Sequence, residues 1–236
     1  MVSSAVKKYA ALCMVCLCSS LFFLGLYQFN NKYSQNTIQA ANGILALSEE
    51  ELQKSPMRFL VSGWAFYPDA LLTPEEIQDE SHYMRYLSIG EQTNFSSPAN
   101  PSPYGCGTYK MTFFLPERKE TYALEIPEVF SAYNLYLDYD LILQMGEPAQ
   151  GTPLVQNRMV TFHGGKPVTL TIAVSNYDHF YGGIVYPPAF GTMLAVNTTR
   201  GIRFAFCLFS CTVTFVCALL SFYFSRRMKQ KNTFLF

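Results

Sequence analysis

Residues 168–174 read VTLTIAV, placing Val168, Leu170, Ile172 and Val174 on one face and Thr169, Thr171 and Ala173 on the other. A β-branched or apolar residue at nearly every position predicts a strand inside a sandwich. Ser175 and Asn176 end that strand, and four ring-bearing side chains follow at Tyr177, His179, Phe180 and Tyr181. Gly182 and Gly183 then supply the backbone freedom a sharp return needs. The same alternation predicts strands over residues 59–66, with a bulge at Gly63, and over 83–89, 108–115, 122–126, 159–162 and 189–196. Strands over 132–137 and 141–145 flank Asp138-Tyr139-Asp140 as a hairpin would. Thr73-Pro74-Glu75-Glu76 has the makings of a short helix start, and residues 44–54 read as a strand followed by an acidic helical turn.

About eight short strands with turn signals every ~8–12 residues predict an all-β fold, an antiparallel sandwich or jelly roll. No helical pattern of the length a parallel crossover needs lies between the strands, which disfavours an α/β sheet. Two other stretches, 9–29 and 204–224, are apolar throughout, each close to the ~20 residues that cross ~30 Å of hydrocarbon as a helix. The expected layout is a leading segment 1–8, an anchor 9–29, a tether 30–46, a sandwich domain 47–196, a second membrane helix 204–224 and a basic tail 225–236. A cleaved signal peptide is the other reading of 9–29. Lys7 and Lys8 favour it, but the run is long for a signal core and no small-x-small site follows.

The formal net charge of zero hides an asymmetry. All seventeen acidic residues fall within 30–203 beside eleven Lys or Arg, a balance of about −6 (11 − 17), while Lys7, Lys8, Arg226, Arg227, Lys229 and Lys231 occupy the two ends. By the positive-inside rule this predicts a cell-membrane protein of two spans, with both termini cytoplasmic and the main domain extracellular. Six of the seven cysteines fall in the two apolar stretches and only Cys106 lies between them, so the domain is expected to be held by its core and not by disulfides.

No catalytic signature is present: the three histidines are scattered, and GxSxG, phosphate-loop and HExxH patterns are missing. Asp138 and Asp140 read as turn acids. No enzyme activity, metal, cofactor or nucleic-acid partner is expected. Aromatic residues make up 16% of the chain, and most of them suit a sandwich core. The loop after the central strand is different, because rings beside His and Asp at a strand end suit an amphipathic ligand such as a sugar. Asn176, Tyr177, Asp178, His179, Phe180 and Tyr181 are therefore the candidate ligand-binding residues. Asn94-Phe95-Ser96 and Asn197-Thr198-Thr199 match the glycan acceptor pattern, which has meaning only in a host that glycosylates secreted chains.

GWAFYPDALLTPEEI (63–77), YGCGTYKMTFFLP (104–116), ALEIPEVFSAYNLYLDYDLILQMG (123–146), VSNYDHFYGGI (174–184) and FGTM (190–193) follow one another in an order that resembles the extracellular domain of bacterial seven-transmembrane receptors with diverse intracellular signalling modules. The layout is also similar to the jelly-roll sugar-binding domains of β-galactosidases. The resemblance spans residues 47–196. It implies a galactose-binding-like jelly roll that senses a carbohydrate or cell-envelope ligand and passes its state to a membrane bundle with a cytoplasmic effector. Two departures stand out. The hairpin turn reads Asp138-Tyr139 where the family has Asn-Gly, which points to a longer loop, and the sequence given ends shortly after the second apolar stretch, so that output would pass to a separate membrane or signalling protein. A non-catalytic module that docks another membrane or envelope protein is the alternative reading.

Overall fold

The computed structural model of the chain describes residues 4–33, 37–79, 81–90, 95 and 102–233. After helix α1 (Ser4–Asn30) come β1 (Ile44–Ala46), α2 (Glu49–Lys54), β2 (Met57–Phe59), β3 (Trp64–Pro68) and β4 (Arg85–Leu87). Then follow β5 (Gly105–Phe114), β6 (Tyr122–Ile126), β7 (Ala132–Leu137), β8 (Asp140–Met145), β9 (Arg158–Phe162), β10 (Val168–Asn176), β11 (Ala189–Thr192) and helix α3 (Met193–Thr233). One sheet runs β4-β3-β5-β10-β7-β8, with β1 added in parallel against β5, and the other runs β2-β11-β6-β9. The remaining pairings are antiparallel. The chain is thus a mostly β protein with the architecture of an antiparallel sandwich.

Side chains from the two inner faces meet in the middle. Phe113 of the larger sheet lies 4.9 Å from Phe190 of the smaller and 5.7 Å from Phe162, ring centre to ring centre, and Tyr122 stacks on Phe190 at 5.8 Å. Trp64 is fully buried, with its Nε1 donating to the Leu60 carbonyl at 3.0 Å. The central strand β10 is flanked by β5 and β7 and is buried on both faces apart from Thr169. The segment after β3 runs over the outer face of this sheet. On β5, Thr108 Oγ1 donates to the Ala70 carbonyl and accepts from Leu72 N, at 2.8 and 2.9 Å, and on the far side of β10, Gln78 Nε2 donates to the Tyr139 hydroxyl in the turn after β7 at 2.6 Å. Near the end of β10, Ser175 Oγ donates to the Pro148 carbonyl in the loop after β8. Arg58, 1% exposed, donates to the carbonyls of Ile38 and Ser55 at 3.1 and 2.9 Å and so ties the segment before β1 to the sandwich.

Several elements differ from their sequence reading for identifiable reasons. Residues 59–66 are not one bulged strand. Phe59 ends β2 and Trp64 opens β3 in the opposite sheet, and the connection between them passes through Gly63 at φ +81, where any Cβ would lie 2.1 Å from the Ala40 carbonyl oxygen. The helix start at Thr73 yields only a 3₁₀ turn, Glu76–Gln78, although Thr73 and Glu76 exchange hydrogen bonds as a capping box does (Thr73 N to Glu76 Oε2, 2.8 Å). The strand over 83–89 shortens to β4, whereas β5 begins before Thr108 and β10 runs on through Asn176, paired with Gly105. The hairpin turn is not lengthened: Asp138 itself takes the left-handed conformation (φ +54), and its Oδ1 accepts from Thr169 N at 2.8 Å. The last strand stops at Thr192 and helix begins at once.

α3 is 41 residues long, and among the described residues it is the one helix long and apolar enough to cross a membrane, over Met193–Tyr223. α1 is helical over the first expected span, residues 9–29, with a described apolar run of Cys13–Gln28, so among the described residues a membrane-length apolar helix is shown for the second expected span alone. In α3 the hydroxyls of Thr212 and Thr214 donate to the carbonyls of Leu208 and Ser210, both at 2.8 Å, within their own helix. The seven cysteines are free, and Cys106 is only partly exposed. The Asn94 acceptor pattern lies outside the described residues.

Candidate functional site

The loop after β10 is fixed at both ends and exposed at its tip. Asn176 is 1% exposed; its Nδ2 donates to the carbonyls of Pro103, at 2.8 Å, and His179, while its Oδ1 accepts from His179 N at 3.1 Å. These bonds close an Asx-type turn directly on the end of the strand. On the return leg, Gly183 sits at φ +79 and donates its N–H to Ser131 Oγ at 3.1 Å, and a Cβ there would lie 2.4 Å from the Tyr109 hydroxyl. Gly182 is equally confined, because its Cβ would lie 2.0 Å from the Pro103 carbonyl oxygen. The Tyr109 hydroxyl accepts from Ile184 N at 3.4 Å, and burial pushes its pKa up to about 12.

Between these anchors the rings gather. His179 stacks on Phe130 with centres 4.8 Å apart and planes 12° from parallel, and it also meets Phe180 at 4.7 Å and Tyr181 at 5.6 Å. Phe180 and Tyr181 are 4.1 Å apart, and Tyr181 also reaches Phe130 at 6.0 Å. Phe180 is 63% exposed and Tyr181 40%, so the cluster presents ring surface and a phenol to solvent. His179 Nδ1 accepts from Tyr181 N at 3.1 Å, which places the ring proton of the neutral imidazole on Nε2. A platform of this kind stacks the apolar face of an amphipathic ring while Nε2–H and the Tyr181 hydroxyl bond its polar edge.

The six sequence-derived candidates separate into three groups. His179, Phe180 and Tyr181 meet in the cluster. Tyr177 turns the other way, with its ring over Gly151 so closely that a Cβ there would lie 2.2 Å from Tyr177 Cδ2, while Asp178 is exposed. Asn176 is buried and acts on the loop's shape. Phe130 was missed by the sequence reading. Register would have found it: Ala132 pairs with Ser175, so residues just before β7 must lie beside those just after β10. Among the described residues, no group of three or more His, Cys, Asp or Glu is placed to hold a metal ion.

No protein-family model matches the chain, and no curated protein matches it. Solved structures that it resembles include glycosidases. They include a β-glucuronidase of Faecalibacterium prausnitzii (17% identity, TM-score 0.40, covering 58% of this chain and 32% of that one). Also similar are a GH2 β-galacturonidase from Eisenbergiella tayi bound to galacturonate (14%, 0.42, covering 57% and 24%) and Bacteroides uniformis β-glucuronidase 3 (10%, 0.45, covering 59% and 22%). The chain spans less than a third of the length of each.

Proposed function

We propose that this chain is a membrane-anchored, extracellular ligand-sensing domain of a signalling receptor, a galactose-binding-like jelly roll that takes a carbohydrate or cell-envelope ligand without catalysis and hands its state to a separate membrane or signalling protein. The observation that carries the ligand reading is the exposed platform of His179, Phe180 and Tyr181, backed by Phe130 and mounted on a buried turn. The receptor reading is supported by the direct passage from β11 into α3, which puts the sandwich at the head of an apolar helix. Each exposed ring that stacks a sugar is expected to contribute about 1 kcal/mol, roughly fivefold in affinity. In a glycan-array and calorimetric comparison of the full chain in nanodiscs, Phe180→Ala and Tyr181→Ala should weaken binding by that order and leave the melting temperature unchanged. Unfolding of both variants, or glycan binding indifferent to them, would reject the site.

The second reading, a docking module, rests on β8. This strand forms one edge of the larger sheet and exposes Leu141 (50%) and Ile142 (47%). An open strand edge can take up a strand of another chain through main-chain hydrogen bonds. The same array decides between the two, because a docking module binds no glycan.

Orientation is proposed from charge. With basic residues flanking both apolar stretches, external protease on intact cells should remove the sandwich while tags at both termini survive. A terminal tag reachable from outside would overturn this topology.

A further inference from the structure

Where the sandwich meets the helices, a cleft of about 1000 Å³ opens between α1 and α3. Its lower wall is apolar, formed by Phe23, Leu26 and Tyr27 of α1 and Phe206 of α3. Its upper end is polar, with Lys32, Tyr33, Glu128, Tyr186 and Arg203. A smaller cavity of about 240 Å³ shares Lys32 and Arg203 and extends toward Glu125 and Arg200.

The charges at the upper end do not close among themselves. Glu125 is held by Arg200 at 3.9 Å, whereas among the described residues neither Lys32 nor Arg203 is ion-paired. The two cations instead lie over rings: Arg203 sits 5.0 Å from the centre of Phe59, and Lys32 lies 5.5 Å from Tyr186 and 6.0 Å from Phe59. Arg203 Nε is buried without a hydrogen-bond partner. Burial and the neighbouring Arg203 both pull the Lys32 ammonium below its usual pKa, with only partial relief from Glu128 and Glu125. Two cations against the one carboxylate left at the rim, Glu128, leave room for a single negative charge.

Arg203 also marks a boundary in α3. Residues 204–224 are apolar, and Phe206 lies about one turn below Arg203 along the helix, ~4.5 Å at 1.5 Å per residue. Tyr33 and Tyr186 line the polar end beside Lys32 and Arg203, as aromatic residues do at a membrane interface. A polar, cationic head above an apolar slot matches the build of a phospholipid and not of a soluble anion.

We propose that the cleft is a binding site for one anionic phospholipid, its phosphodiester between Lys32 and Arg203 and an acyl chain along Phe23, Leu26 and Phe206. The proposal rests on the reading of α3 as a membrane helix. The test uses the full chain, delipidated in detergent and loaded with phosphatidylglycerol or phosphatidylcholine, with bound lipid counted by native mass spectrometry. Phosphatidylglycerol should be retained about tenfold over phosphatidylcholine, two cations each contributing to the attraction. Lys32→Gln with Arg203→Gln should reduce that ratio toward one, and inorganic phosphate should not displace the lipid. A preference that survives the double substitution belongs to the basic tail and overturns the proposal, as does displacement by phosphate. A second variant, Phe206→Trp, reports without removing any charge. In nanodiscs, acyl-brominated phosphatidylglycerol should quench its emission more than brominated phosphatidylcholine. Equal quenching defeats the lipid site alone, while no quenching by either defeats the membrane reading beneath it.

Discussion

Replacing Trp64 by Ala is expected to destabilise the sandwich by about 3–5 kcal/mol, the range for emptying a large buried ring site. Trp64 is wholly inaccessible, lies edge-on to Tyr109 with centres 6.2 Å apart, and sits at the start of β3, where the chain has just crossed from one sheet to the other. Its loss therefore opens a void at that crossing and removes the hydrogen bond to the Leu60 carbonyl, which belongs to the same crossing. Urea unfolding followed by far-ultraviolet circular dichroism measures the cost. A change below ~1 kcal/mol would mean that the site collapses around the smaller side chain, contrary to a tightly packed interior.

Asn176→Leu is expected to cost about 2–4 kcal/mol and to abolish ligand binding with it. The substitution leaves the Pro103 and His179 carbonyls and the His179 N–H without their partner in a buried setting, and each orphaned group costs about 1–3 kcal/mol, partly relieved by water. Asn176→Asp separates shape from charge. It keeps the bond from His179 N but turns two donated bonds into contacts of oxygen with oxygen, so it should be nearly as damaging. Thermal unfolding and glycan binding measured on the same samples give the answer. A stable Asn176→Leu chain that had lost only binding would move Asn176 from the loop's frame into the ligand contact itself.

Much of the sandwich was legible because its strands are short and alternate: the elements over 122–126, 132–137 and 159–162 appear almost where period-two reading places them. What was illegible depends on distant parts of the chain. Nothing near Gly63 announces that the Ala40 carbonyl lies against it and divides one apparent strand between two sheets. The end of β11 was misplaced since an apolar run such as residues 189–196 fits strand and helix alike until its partner strands, β2 and β6, run out. At the candidate site, composition identified the ring-rich loop but not the direction of each ring. Tyr177 left the cluster for Gly151, and Phe130 entered it from a connection 49 residues before His179 (179 − 130), as its pairing with the His179 ring shows.

The junction at Thr192 and Met193 has a mechanical meaning. Strand passes into helix without an intervening loop; Thr192 Oγ1 accepts from Ala195 N at 3.3 Å, and Met193 N donates to the Thr121 carbonyl at 3.1 Å. Two turns on, Arg200 reaches Glu125 of β6, the strand beside β11. A helix attached at two heights to the smaller sheet resists spinning about its long axis or pitching sideways, because either motion pulls on β11 and β6, the two central strands of that sheet. Sheet and helix therefore turn as one crank, in which a rotation of a few degrees at the sandwich becomes a sweep of several ångströms at the far end of a 41-residue arm, ~60 Å long at 1.5 Å per residue.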